Sequence, residues 1–238
     1  MKIMKTKHIT FTTLFALSAL VGWAQKKDSL QDVSVFDRKK LFWGITFNQT
    51  WTKVIGSQPF ETYFAKPSLG GDIIVEYFPL KFIGVRAGFG YMQRGTGIKL
   101  VDLDHSLGDP DSTYRTRLRF NTWEFPIALV LRTPKDVIKG IRLAGGAGVI
   151  PYKNFHTTRI YDSVEDGFHT IYDQSHMYFK NDLAFQAFFG THINMANYSQ
   201  FQVELFYTKG TKNVYHDSSF GNANATQRTW GFRVSWVY

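Results

Sequence analysis

Residues 229–238 read Thr229-Trp230-Gly231-Phe232-Arg233-Val234-Ser235-Trp236-Val237-Tyr238. Trp230, Phe232, Val234, Trp236 and Tyr238 share one face, and Thr229, Gly231, Arg233 and Ser235 share the other. A period of two with large apolar groups opposite small or polar ones describes a strand that is wet on one side. Seven earlier runs carry the same signature. They are Leu41 to Asn48, Leu69 to Phe78, Ile83 to Arg94, Leu118 to Arg132, Ile141 to Ile150, Asp182 to Ile193, and Gln200 to Thr208. In the fourth run Leu118 and Phe120 fall out of phase with Trp123, Phe125, Ile127, Leu129 and Leu131, which predicts a bulge near Asn121. The connections at 79–82, 133–140 and 194–199 are short, whereas those near 49–68, 95–117, 151–181 and 209–227 are long. An even number of strands with short turns and long loops in alternation predicts an all-β fold. Its form is an eight-stranded antiparallel transmembrane β-barrel with short periplasmic turns and long extracellular loops. A soluble sandwich has no reason to alternate its loops in this way.

The amino terminus fits a chain that leaves the cytoplasm. Lys2, Lys5 and Lys7 precede an apolar run from Phe11 to Val21, and Gly22-Trp23-Ala24 offers small residues where a signal peptidase reads. Residues 1–24 are therefore expected to be a signal peptide, 25–40 a flexible periplasmic lead and 41–238 the barrel. The apolar run is short of the roughly 20 residues that a spanning helix needs. Removing the leader lowers the formal net charge of +9 by three lysines. The remaining excess is scattered, with no basic stripe or motif of the kind that binds nucleic acid. There are no cysteines, which excludes disulfides, a lipid-modified cysteine and a cysteine–zinc site. The slightly negative mean hydropathy is compatible with a barrel, because half of each strand faces a polar lumen.

The polar faces place Asp72, Glu76, Arg86, Arg94, Glu124, Arg132, Arg142, Gln186, His192, Glu204 and Arg233 inside. Eight strands enclose only enough space for side chains, and a lone buried charge is expensive. A paired charge network that plugs the lumen is expected, with Arg233 facing Glu or Asp across the barrel. A narrow pore is the alternative. Trp43, Tyr77, Tyr91, Trp123, Tyr207, Trp236 and Tyr238 fall near the ends of the runs, where amphipathic rings mark a lipid–water boundary.

Candidate chemistry is sparse. Asp102, Asp104, Ser106, Asp109 and Asp111 alternate oxygens in one long loop, but the glycine is one place late for an EF-hand and Thr113 stands where a bidentate Glu is required. The cluster is read as an acidic, solvated loop. His156, His169 and His176 are widely spaced and read as solvated too. His216-Asp217-Ser218 offers a base beside a hydroxyl, the minimum for an activated nucleophile. It resembles the His-x-Ser pair of the outer-membrane lipid A deacylases, although Ser219 replaces the usual Asn and no acid follows Asp217. A lipid A-modifying hydrolase using His216 and Ser218 is thus a second functional reading. No cofactor and no metal is expected.

Three segments carry a resemblance that covers about 41–238. Trp123-Glu124-Phe125-Pro126-Ile127-Ala128-Leu129-Val130-Leu131-Arg132, Val85-Arg86-Ala87-Gly88-Phe89-Gly90-Tyr91 and Glu204-Leu205-Phe206-Tyr207-Thr208-Lys209-Gly210 are similar to strands of the PorT-like outer-membrane β-barrel family of Bacteroidota. Pro126 within a strand implies a local bulge or a turn-proximal position. The terminal strand resembles the assembly signal of outer-membrane barrels, carried here by Trp230, Phe232, Val234, Trp236 and Tyr238. Asp28-Ser29-Leu30, Asp111-Ser112-Thr113 and Asp162-Ser163-Val164 resemble the phylum's O-glycosylation sequon. The resemblance implies a non-catalytic, multi-pass protein of the cell outer membrane. It would act as a scaffold or accessory subunit of a secretion (type IX), gliding or barrel-assembly complex. Its implied partners are outer-membrane lipid and lipopolysaccharide, the barrel-assembly machinery and another outer-membrane protein.

Overall fold

The structure, a computed structural model, describes residues 39–56, 61–100, 115–138, 140–162, 169–195, 199–214 and 225–238. The expected signal peptide lies outside them, as does all of the periplasmic lead but Lys39 and Lys40. The strands are β1 (Leu41–Ile55), β2 (Glu61–Leu80), β3 (Ile83–Leu100), β4 (Arg115–Glu124), β5 (Ile127–Arg132), β6 (Ile141–Asp162), β7 (His169–Asp173), β8 (Asn181–Asn194), β9 (Gln200–Gly210) and β10 (Thr226–Val237). All pairings are antiparallel. They run β1–β2–β3, then β4 and β5 end to end, then β6–β8–β9–β10 and back to β1. The ring has eight staves and no free edge, which is what lets a sheet sit in lipid with every backbone group paired. Closure is by β1 on β10, where Trp43 and Tyr238 exchange both backbone hydrogen bonds at 2.8 and 2.7 Å.

β4 and β5 form one stave interrupted at Phe125-Pro126. Pro126 produces neither the bulge nor the turn that its sequence implied. The ladder passes through it: Gly88 N–H donates to the Pro126 carbonyl and Phe125 N–H to that of Pro151, both at 2.9 Å. The bonds lost are the two that the nitrogens of Pro126 and Pro151 cannot make. The bulge predicted near Asn121 falls on the opposing strand. Asn121 pairs His156 and Thr122 pairs Asn154, leaving Phe155 of β6 as the extra residue. β4 itself keeps its phase, since Leu118, Phe120, Thr122 and Glu124 all point inward and are buried. The apparent phase break arises because the lumen accepts apolar side chains at that level.

Alternation sorts the residues into a wall and a lumen. In β1, Phe47 is 66% exposed while its neighbours Thr46 and Asn48 are each 2% exposed. Leu41, Trp43, Ile45, Leu69, Ile73, Val85, Ile127, Leu129, Phe185, Phe189, Leu205 and Phe232 continue the exposed apolar wall. A soluble monomer does not expose a continuous apolar surface of this extent. A protein surrounded by lipid does, and the charges lie inside.

The strands are much longer than the runs that announced them. β2 has 20 residues and β6 has 22, against the about 9–11 needed to cross a bilayer. Much of the segments 49–68, 95–117 and 151–181, expected as loops, is therefore strand, and β7 adds a further hairpin to β6. The sequence signature stops where lipid stops, because only lipid demands apolar residues on the outer face. The ladder continues beyond it as backbone pairing. Tyr91, Trp123 and Tyr207, expected near strand ends, consequently stand within strands that rise past them.

Candidate functional site

The lumen holds a hydrogen-bonded charge network braced by one arginine. Arg86 on β3 donates from Nε to Glu76 on the neighbouring β2 at 2.6 Å. Its terminal nitrogens donate to both oxygens of Glu204 at 2.7 and 2.6 Å and to Gln202 at 3.1 Å. Glu204 and Gln202 belong to β9, four staves away in a ring of eight and so diametrically opposite. Arg86 is a strut across the full width of the barrel. Its guanidinium also lies 4.7 Å from the ring centre of Phe188. A planar fork of five donors suits this position, which a lysine could not satisfy.

Further residues extend the network around the wall. Gln202 donates to Glu76 at 2.9 Å and to Gln200 at 3.0 Å, and Gln200 donates to Asn194 at 2.9 Å. His192 Nε2 stands 3.3 Å from Glu204. Arg233 lies 3.5 Å from Glu204 and donates to Asn48 at 3.2 Å. The sequence predicts an acid for Arg233 across the barrel, but Glu204 is its register partner on the adjacent strand. The across-barrel role falls to Arg86. Asn48 and Thr46 donate to Asp72 at 2.6 and 2.9 Å. Asp72 thus joins through neutral donors.

The other lumen charges form separate groups. Arg94 pairs with Glu124 at 2.8 Å and sits 4.6 Å from the Tyr152 ring centre, while the Tyr152 hydroxyl donates to Asp182 at 2.7 Å. Arg132 stacks 3.8 Å from the Phe78 ring centre and donates to the Lys81 carbonyl at 2.8 Å. Arg142 pairs with Asp136 of the 133–140 turn at 2.8 Å, and Asp136 also accepts from Gly140 N–H. Gly140 has φ +77°, a conformation that glycine adopts without strain. Gln186 is buried, and neither of its amide atoms has a hydrogen-bond partner among the described residues.

Apolar layers flank the charges. Phe42, Ile74, Phe78, Ala128, Val130, Phe188, Phe206 and Val237 pack as one cluster that reaches the short-turn end. Val54, Tyr63, Ile98, Leu118, Phe120, Tyr178, Val214 and Ala225 pack as another toward the hairpin end. Between Phe120, Tyr152, Asp182 and Gln227 remains a cavity of about 20 Å³, room for roughly one water molecule. Sequence reasoning misses the apolar plugs because it seeks polar residues at inward positions. It also misses Gln200, Gln202, Asn48 and Thr46 as network members, although the first two alternate with Glu204 and so share its face, and it misses Asp182 as the partner of Tyr152.

The assembly-signal residues Trp230, Phe232, Trp236 and Tyr238 are exposed on the wall, and Val234 is partly so. His156 lies 3.9 Å from Asp173 beyond the membrane-crossing part of β6. There the Ser175 hydroxyl and amide donate to Asp173 and hold its carboxyl below the ordinary carboxylate range. His216 and Ser218, the 102–111 acidic cluster and the serine and threonine residues of all three sequons lie outside the described residues. Among the described residues no group of three or more His, Asp or Glu side chains is placed to hold a metal ion.

The chain matches no protein-family model and no curated protein. Among solved structures it is similar to Ail, the attachment invasion locus protein of Yersinia pestis, at 14% identity and a TM-score of 0.41, over 84% of this chain and 100% of that one. It is similar to the outer membrane protein OprG from Pseudomonas aeruginosa at 11% identity and a TM-score of 0.46, over 84% and 96%. Neisserial surface protein A gives 10% identity and a TM-score of 0.41, over 83% and 98%. By its closed ring, apolar wall and charged lumen, the chain is an eight-stranded antiparallel transmembrane β-barrel.

Proposed function

We propose that this barrel is a non-catalytic protein of the cell outer membrane that serves as a membrane-embedded scaffold or accessory subunit, presenting its tall hairpins to a partner. The Arg86 strut carries this reading. A guanidinium bonded to carboxylates on opposite walls obstructs the path that a solute would take, and apolar layers lie on both sides of it. A protein with a filled lumen acts through its outer surfaces. The PorT-like resemblance supports a place in a secretion, gliding or barrel-assembly complex, with another outer-membrane protein as partner.

Two measurements test this. Single-channel recording of the purified barrel in planar bilayers is expected to stay silent, and reproducible unit conductance steps would replace the scaffold reading with the pore. A tag inserted in the 163–168 segment, followed by solubilisation in gentle detergent, is expected to retrieve an outer-membrane protein in fixed stoichiometry. Recovery of the barrel alone would remove the support for an accessory subunit.

A further inference from the structure

On the outer wall toward the hairpin end, three bases stand side by side. Lys53 on β1 pairs in register with Arg228 on β10, and Arg228 pairs with Lys209 on β9. All three point outward and are exposed. Adjacent strands are about 4.8 Å apart, so the three backbone positions span only about 10 Å. Like charges directly opposite in a ladder repel. Among the described residues none of the three has an ion pair or hydrogen bond through its side chain, and no carboxylate lies in the row. Among the described residues no acid balances the three bases.

The row's height on the wall says what surrounds it. The next outward residue below each base is aromatic: Trp51, Trp230 and Tyr207, which are themselves register partners. Trp51 and Trp230 stack at 4.6 Å with a 16° interplanar angle. Below that aromatic row the outward residues of β10 and β9 are Phe232, Val234 and Trp236, and Leu205, Val203 and Phe201. Lipid-facing residues thus give way to an aromatic girdle, and the bases begin about 7 Å above it, one outward step along the strand. That is the level of lipid headgroups.

We infer that Lys53, Arg228 and Lys209 form a binding site for the phosphate groups of anionic lipid in the leaflet at the hairpin end. The aromatic row beneath packs against the acyl chains of the same molecule. The site lies on the wall, and it requires neither the scaffold role nor a closed lumen.

The test is native mass spectrometry of the full barrel released from micelles containing diphosphorylated lipid A or, separately, zwitterionic phosphatidylcholine. Wild-type protein is expected to retain lipid A in preference to phosphatidylcholine. The triple variant Lys53→Gln/Arg228→Gln/Lys209→Gln is expected to lose affinity by about fivefold per base, on the order of a hundredfold together. A variant of equal charge change at the other end, Lys40→Gln/Lys81→Gln/Lys135→Gln, should bind as wild type. Inorganic phosphate in equal concentration should fail to displace the lipid. Equal retention of the two lipids, unchanged retention by the triple variant, or displacement by inorganic phosphate would each overturn the site. Should the triple variant not fold, Arg228→Gln alone, the middle base, is expected to show the fivefold loss, and its absence would count equally against the proposal.

Discussion

Replacing Arg86 with Met is expected to destabilise the barrel by about 3–5 kcal/mol, the largest effect of any single lumen substitution. The cause is the two carboxylates left behind. Glu76 and Glu204 are both buried, and both direct oxygens at the Arg86 guanidinium. Without it Glu204 retains His192 and Arg233, at the longer distances of 3.3 and 3.5 Å, and Glu76 retains only the Gln202 amide. Urea titration of the folded barrel in micelles, followed by tryptophan fluorescence, measures the loss. The triple variant Arg86→Met/Glu76→Gln/Glu204→Gln should recover much of it, because the penalty comes from the uncompensated charges. If Arg86→Met were as stable as wild type, the strut would be energetically idle.

The second large effect belongs to the wall. Leu205→Arg is expected to cost about 2–4 kcal/mol. Leu205 is 53% exposed, and its register neighbours are Phe232 and Phe189. It sits between the aromatic residues Phe201 and Tyr207 that flank the lipid-facing stretch of β9. Ile171→Arg is the control. Ile171 is as exposed, at 57%, but lies on β7, beyond the membrane-crossing staves, where surface substitutions stay within about 0.5 kcal/mol. Unfolding free energies in lipid vesicles separate the two. A protein in water would tolerate both changes equally, so equal tolerance would contradict the assignment of the wall to lipid.

The two cases show how far alternation along a strand can be read. A side chain's face follows from its parity, so Leu205 outward and Glu204 inward are legible in the run Gln200 to Thr208 by itself. The same holds for Arg86, Arg233 and the other lumen charges. Parity says nothing about which inward residue meets which. Arg233 meets its register neighbour, and Arg86 meets a strand that is distant in sequence, because register and curvature bring side chains together and neither leaves a local mark. Arg132 and Arg142 resemble Arg86 as sequence, yet one stacks on Phe78 and the other holds the Asp136 turn.

The chain's sequence determined by itself that eight staves cross a membrane, that short turns share one end, and which residues face lipid. Each of these follows from a period of two read against one solvent, a local property of a strand. Tertiary structure alone decided how high the strands rise beyond lipid, that the bulge belongs to Phe155, that apolar layers flank the charges, and that one arginine braces opposite walls. Those depend on ring closure, which sets neighbours that no local pattern encodes. Closure also lined up Lys53, Arg228 and Lys209, three bases far apart in the chain that the register of β1, β10 and β9 places in one row.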